Sequence, residues 1–95
     1  MSYHNWLPLH QACLRGMTET VKHFVHGGAD VNVAICVGVR CKRFTPLHFA
    51  VYGNHFEIVQ LLLLAGADKT LTDFYGKTPL DFVRSQEMMD LITKY

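Results

Sequence analysis

No stretch of this chain is long and apolar enough to cross a bilayer: the most hydrophobic segment, around Ile58 to Ala67, is broken by Gln60, and a membrane span needs about 20 residues. The sequence also lacks an excess of charge of either sign. Nine Lys and Arg against eight Asp and Glu leave a formal charge of +1, and nucleic-acid backbones are held by broad basic surfaces, so general nucleic-acid binding is disfavoured. Cysteine is sparse and odd in number. Cys13, Cys36 and Cys41 cannot all pair within the chain, and the polar opening from Met1 to Asn5 has no apolar core of a secretion signal. A soluble chain in a reducing, intracellular compartment, cytoplasmic or nuclear, is the expectation. With 95 residues, a domain buries roughly 60–65% of its unfolded surface, which allows one small core and little spare stability.

What the chain does have is internal repetition. Thr45-Pro46-Leu47-His48 returns as Thr78-Pro79-Leu80-Asp81, and a degenerate copy, Leu7-Pro8-Leu9-His10, precedes both. The spacings are 78 − 45 = 33 and 45 − 7 = 38 residues. A period of roughly 20–50 residues marks a stacked array whose units touch only their neighbours. A shift of 38 also lays Ala12 on Ala50, Glu19 on Glu57, Val21 on Val59, and Gly28-Ala29-Asp30 on Gly66-Ala67-Asp68.

Each unit reads as helix, turn, helix, loop. Thr45 is a good N-cap, and Pro46 stands at the first helical position, where its missing N–H would have had no partner. This helix is expected to run to Tyr52. Gly16 and Asn54 hold equivalent positions, and both residue types tolerate the left-handed backbone of a helix-ending turn. A second helix follows from His55 to Leu64, with Ile58 and Leu62, and Val59 and Leu63, four apart on one side. Gly28 and Gly66 then stop their helices.

These motifs resemble the ankyrin repeat family, whose pattern runs roughly Gly-x-Thr-Pro-Leu-His-x-Ala, a glycine turn, Glu-Ile-Val, Leu-Leu and Gly-Ala-Asp. Gly76-Lys77-Thr78-Pro79-Leu80 and Phe56-Glu57-Ile58-Val59-Gln60-Leu61-Leu62 fit it closely. The resemblance implies an all-α solenoid of stacked antiparallel helix pairs with projecting hairpin-like fingers. It would form one domain: a first repeat over 5–42, a second over 43–75 and a truncated third over 76–95. It further implies hydrogen bonds between the Thr45 hydroxyl and the His48 ring, from which Asp81 departs. Asn32 takes the family's finger-base asparagine, either bridging adjacent loops or serving as a substrate for hydroxylation.

The ends are expected to close the array. His23 and His26 replace what are Leu61 and Leu64 in the second unit, giving a more polar outer face. The segment from Gln86 to Tyr95 reads as a capping helix with Leu91 and Ile92 to bury. Trp6 either covers the end of the core or sits on the binding edge.

The first finger is longer than the second. Asp30 to Thr45 spans 15 positions and Asp68 to Thr78 spans 10, an insertion of five residues. Within it Val33, Ile35, Val37 and Val39 alternate onto one face of an extended segment, which can fold at Val37-Gly38. These valines either tuck against neighbouring units or offer an edge for a partner or for self-association through 33–44.

The resemblance implies a recognition surface for another protein along the concave face, the fingers and the first helices. Its candidate contacts begin with Arg40, Lys42, Arg43 and Phe44 beside the insert, where cations can meet an acidic partner. Tyr52 follows, then Phe74, Tyr75 and Lys77. Aromatic residues and arginine are enriched among interface hot spots because they bury much area at small entropic cost. Phe44 and Phe74 can instead fold back as finger packing, and Phe49 and Phe82 are expected to fill space between units. A zinc site drawn from His23, His26, Cys36 and Cys41 has no strong spacing, and Cys13 with His10 lacks the third group and oxyanion pocket of a thiol enzyme. A non-catalytic interaction module without metal or cofactor is therefore expected. The alternatives are a regulatory subunit or inhibitor of an enzyme such as a kinase, or a structural part of a longer array.

Overall fold

The structure, a computed structural model, describes residues 8–35 and 43–95. Its helices are α1 (Pro8–Arg15), α2 (Thr18–His26), α3 (Pro46–Tyr52), α4 (Phe56–Leu64) and α5 (Gln86–Lys94), with a 3-10 turn over Pro79–Phe82 between the last two. The reason α3 begins where it does is local. Pro46 takes the first helical position, the Thr45 Oγ1 accepts from the His48 N–H, and the Thr45 N–H donates to His48 Nδ1. Two backbone donors that a helix start leaves unpaired are thus satisfied reciprocally. The expected turns follow as well, with Gly16 at φ 76° and Asn54 at φ 61°.

Stacking is pairwise: α1 lies on α3, α2 on α4, α4 on α5, and α3 on the 3-10 turn. Leu47, Ile58, Val59 and Leu62 are sealed between the pairs, together with Val21, Cys13 and Ala12. Fully burying a Val, Leu or Ile side chain is worth about 1.5–3 kcal/mol, so this seam holds the array together. The fold is all-α, and the one piece of strand pairing among the described residues is an isolated antiparallel bridge. There Ile35 and Phe44 exchange N–H to carbonyl bonds of 2.9 and 3.0 Å, closing the first finger at its base.

The third unit departs from the other two. Asp81 stands in for histidine, its Oδ2 accepting from the Thr78 N–H at 2.8 Å and from the Thr78 hydroxyl at 3.3 Å. After one 3-10 turn the chain goes extended at Val83, with φ −65° and ψ 134°. Helix α5 then starts at Ser85, whose Oγ accepts from the Met88 N–H at 3.2 Å. It buries Met88 and Ile92, four apart on one face, and leaves Leu91 half-buried at the edge. Met88 thus takes the place expected of Leu91.

Side chains bonding to backbone tie neighbouring units, with His48 Nε2 reaching the Lys77 carbonyl at 2.9 Å and His55 Nε2 that of Leu14 at 2.9 Å, while within the first unit His10 Nε2 reaches the Val33 carbonyl at 2.6 Å. A carbonyl only accepts, so each Nε2 carries a proton. A Cβ at Gly53 would lie 2.5 Å from His55 Nε2, so only glycine leaves that ring its place. Asn32 bridges the loops after both helix pairs, donating to the Gly66 carbonyl at 3.3 Å and accepting from the Asp68 N–H at 2.7 Å. Both ends of its amide are therefore engaged, as the bridging reading required.

Burial pushes His48 and His10 below the ordinary imidazole value near 6.5, against the opposing pull of their bonds to Lys77 and Val33 and, for His48, of the Asp73 and Asp81 charges. Burial favours the neutral form of both rings in the folded chain, so the unfolded chain binds their protons first as pH falls. The stability they contribute is complete above about pH 6.5 and is lost as pH drops below it toward the folded values. Thermal melts at pH 7.5 and pH 5.0 should show a lower Tm at pH 5.0, and a His48→Gln variant should show a smaller loss over the same window. An equal loss in the variant would exclude His48 as a source.

Candidate interaction surface

The second finger is built by one carboxylate. Asp73 Oδ1 accepts from the Tyr75 N–H at 2.8 Å and the Lys77 N–H at 2.9 Å, while its own N–H donates to the Lys77 carbonyl at 2.8 Å. The Gly76 N–H closes the turn onto the Asp73 carbonyl at 3.0 Å, with Gly76 left-handed at φ 77°. Since the Lys77 carbonyl also receives the His48 Nε2–H, a continuous line of hydrogen bonds runs from the start of α3 to the tip of the finger. At that tip Phe74 and Tyr75 meet edge to face, ring centres 5.2 Å apart, and remain 58% and 48% exposed. They are large aromatic groups held out by a turn that the Asp73 carboxylate and the Gly76 N–H close.

Phe44 is placed otherwise than expected. It is 8% exposed, stacked on His48 at 5.2 Å and in edge contact with Phe49 at 5.2 Å and Phe82 at 5.4 Å. Its bond pair with Ile35 turns the ring inward onto α3, so its side chain is finger packing rather than a surface for a partner. Phe49 is buried with it, and Phe82, half-buried, carries the aromatic contact onward to Tyr52 at 6.1 Å. Tyr52 is 51% exposed, and Arg84 lies over it, 5.7 Å from the ring centre, while donating to the Tyr52 carbonyl.

Arg43, Tyr52, Phe74, Tyr75 and Lys77 are thus exposed. Arg40 and Lys42 lie outside the described residues, as do Cys36, Cys41, Val37, Val39 and Trp6. Arg84 was missed. Repeat alignment sets it against the buried Val51, and only the early end of the 3-10 turn frees it to cover Tyr52.

The chemistry weighed for Cys13 and His10 is not supported. Burial pushes the Cys13 thiol up to about 12, so it stays protonated at neutral pH and lacks the thiolate that a nucleophile needs. His23 and His26 both sit exposed on α2, giving the polar outer face expected of the first unit.

Comparison with known proteins agrees with this architecture. Residues 36–83 match the family described as "Ankyrin repeats (many copies)" and residues 4–35 match "Ankyrin repeat". The chain belongs to the ankyrin repeat family. Repeats of this family generally mediate contacts between proteins and are typically non-catalytic. Among curated proteins it is 34% identical over 87 residues to human BCL-6 corepressor-like protein 1, covering 92% of this chain and 5% of that protein. It is 36% identical over 87 residues to bovine SMC5-SMC6 complex localization factor protein 1, covering 90% of this chain and 8% of that one. Human protein phosphatase 1 regulatory subunit 27 is 36% identical over 75 residues, covering 79% of this chain and 46% of the relative. The chain therefore spans less than half the length of each. Among the described residues no helix is long and apolar enough to cross a membrane.

One backbone detail was not foreseen. Arg43 and Gly76 both stand two residues before the Thr-Pro pair, and both are left-handed, Arg43 at φ 59°. That conformation costs a residue with a Cβ about 1–2 kcal/mol, part of which glycine returns through its greater freedom when unfolded. Arg43→Gly should raise stability by about 0.5–1 kcal/mol, which for a domain of this size is a Tm several degrees higher in calorimetry. A lower Tm would contradict the left-handed placement.

Proposed function

We propose that this chain is a non-catalytic module that binds another protein through its second finger and the adjoining edge of α3, with Tyr52, Phe74, Tyr75, Lys77 and Arg43 as contacts. The carrying observation is the Phe74 and Tyr75 pair, exposed on a turn held by the hydrogen bonds of Asp73. A preorganised aromatic tip loses little entropy on binding, so most of its buried area goes into affinity. Arg40 and Lys42, close by in sequence, would add charge. An intracellular location, cytoplasmic or nuclear, goes with this reading and with the free, buried thiol of Cys13. No contact with nucleic acid or membrane is part of it. Self-association through residues 33–44 is a lesser contributor, because Ile35 and Phe44 already bond to each other and face inward.

A second reading, regulation of an enzyme, is favoured by the likeness to protein phosphatase 1 regulatory subunit 27. On that reading the same edge controls a phosphatase rather than the kinase first considered. Assay of protein phosphatase 1 on a phosphopeptide with saturating chain separates the readings. Inhibition lowers turnover, whereas simple recruitment leaves it unchanged. The role of a structural part in a longer array draws support from the 5% and 8% of the longer relatives that the chain spans.

Affinity purification with wild type beside a Phe74→Ser, Tyr75→Ser variant tests the primary reading. Each hot-spot aromatic is worth about 2 kcal/mol, so proteins recovered with wild type should fall by tenfold or more. Full recovery by a variant with unchanged circular dichroism would remove the finger tip from the interface.

A further inference from the structure

We propose that the edge formed by Arg43, Lys77, Phe74 and Tyr75 receives an acidic segment of the partner, its carboxylates paired with the two cations and an adjacent apolar residue seated on the aromatic tip. This rests on the protein-binding reading above and narrows it to a chemistry.

Arg43 supplies the first ground. The chain needs a left-handed residue at this position, as the matching Gly76 shows, and elsewhere it uses Asn54 for the same conformation. Glycine or asparagine would meet that need with little strain. Arginine meets it with strain and without a return among the described residues, where its exposed side chain makes no hydrogen bond or ion pair. A strained residue with no return among the described residues points to a use outside the chain.

Lys77 supplies the second. Its N–H and carbonyl are both held, by Asp73 and by Asp73 with His48, so the side chain springs from a fixed root. Its ammonium is in no ion pair among the described residues. The carboxylates nearest in sequence are engaged elsewhere: Asp73 on the Tyr75 and Lys77 N–H groups, and Asp81 on Thr78. The cations of this edge are therefore left to pair with a partner.

The His48 ring links the two positions: the side chain of Phe44, next to Arg43, stacks on its face, and its Nε2 bonds to the Lys77 carbonyl. Phe74 and Tyr75 lie two and three residues from Lys77 on the same turn. A guanidinium fork pairs carboxylates in a bidentate, directional way, which suits an acidic peptide. Two cations are few for a nucleic-acid backbone, whose affinity grows with each phosphate neutralised.

Random-peptide display on the immobilised chain is the test, followed by fluorescence anisotropy of an enriched peptide against wild type, Arg43→Gly and Lys77→Ser. Enriched sequences should carry Asp or Glu beside an apolar residue, and added salt should weaken their binding. Each substitution should weaken it by about tenfold, a typical worth of one charge-assisted pair. Arg43→Gly should do so while melting no lower than wild type, which separates lost contact from lost fold. Failure to enrich any peptide, or acidic peptides indifferent to both substitutions, would overturn the proposal. Enriched peptides without acidic residues that still require Phe74 and Tyr75 would also overturn it, yet leave the protein-binding reading standing. Tighter binding of a single-stranded oligonucleotide at the same two residues would assign the cations to nucleic acid and overturn it as well.

Discussion

A single imidazole, that of His48, sets the relation between helix and finger. It is buried, and it has a hydrogen-bonding partner on each nitrogen: Thr45 on Nδ1, where the hydroxyl lies at 2.7 Å, and the Lys77 carbonyl on Nε2. Because Nε2 must donate to a carbonyl, Nδ1 is left as the acceptor that the Thr45 N–H and hydroxyl require. Each such bond adds only about 0.5–1.5 kcal/mol net, whereas leaving a buried partner unpaired costs about 1–3 kcal/mol. The geometry is therefore enforced chiefly by what its loss would expose. Phe44 covers one face of the ring and Phe82 meets it edge-on, excluding water from the bonds that fix the finger.

The two flanking units show what happens when this ring, or its partner, changes. In the first, Leu7 replaces threonine, and His10 Nδ1 has no hydrogen-bond partner among the described residues. With five more residues in its finger, His10 Nε2 bonds to Val33, on the arm leaving α2, rather than to the residue just before Thr45. The carbonyl there, that of Phe44, is taken by Ile35. In the third unit Asp81 completes the helix start but can only accept, so it has no proton to extend to a further finger. The bonding line ends there, the helix stops after one 3-10 turn, and α5 covers the seam.

Much of the fold was legible because its signals are local. Thr45-Pro46 marks the start of α3, Tyr52 and Leu64 end α3 and α4 where the periodicity runs out, and Gly16 and Asn54 turn left-handed where a small or amide side chain allows it. The candidate surface was less legible, for reasons of packing. Phe44 looked exposed on a loop, but its inward turn depends on pairing with Ile35 and on the aromatic faces of His48 and Phe82, contacts that join distant parts of the chain. Arg84 was hidden by an alignment that holds only while both units stay helical. Arg43 left a signal that alignment of the two fingers could have caught, namely an arginine opposite a glycine.

The outcome is a rigid stack that presents a short aromatic and cationic edge. Packing supplies stability from the helix seam, and the His48 to Lys77 to Asp73 line ties that seam to the turn bearing Phe74 and Tyr75, so a partner bound there as proposed would not have to order the finger. The most direct test is long-range proton–nitrogen correlation NMR of the His48 ring at neutral pH. A neutral imidazole bearing its proton on Nε2 is the expected result. A ring protonated on Nδ1, or on both nitrogens, would contradict the linkage on which the finger's placement depends.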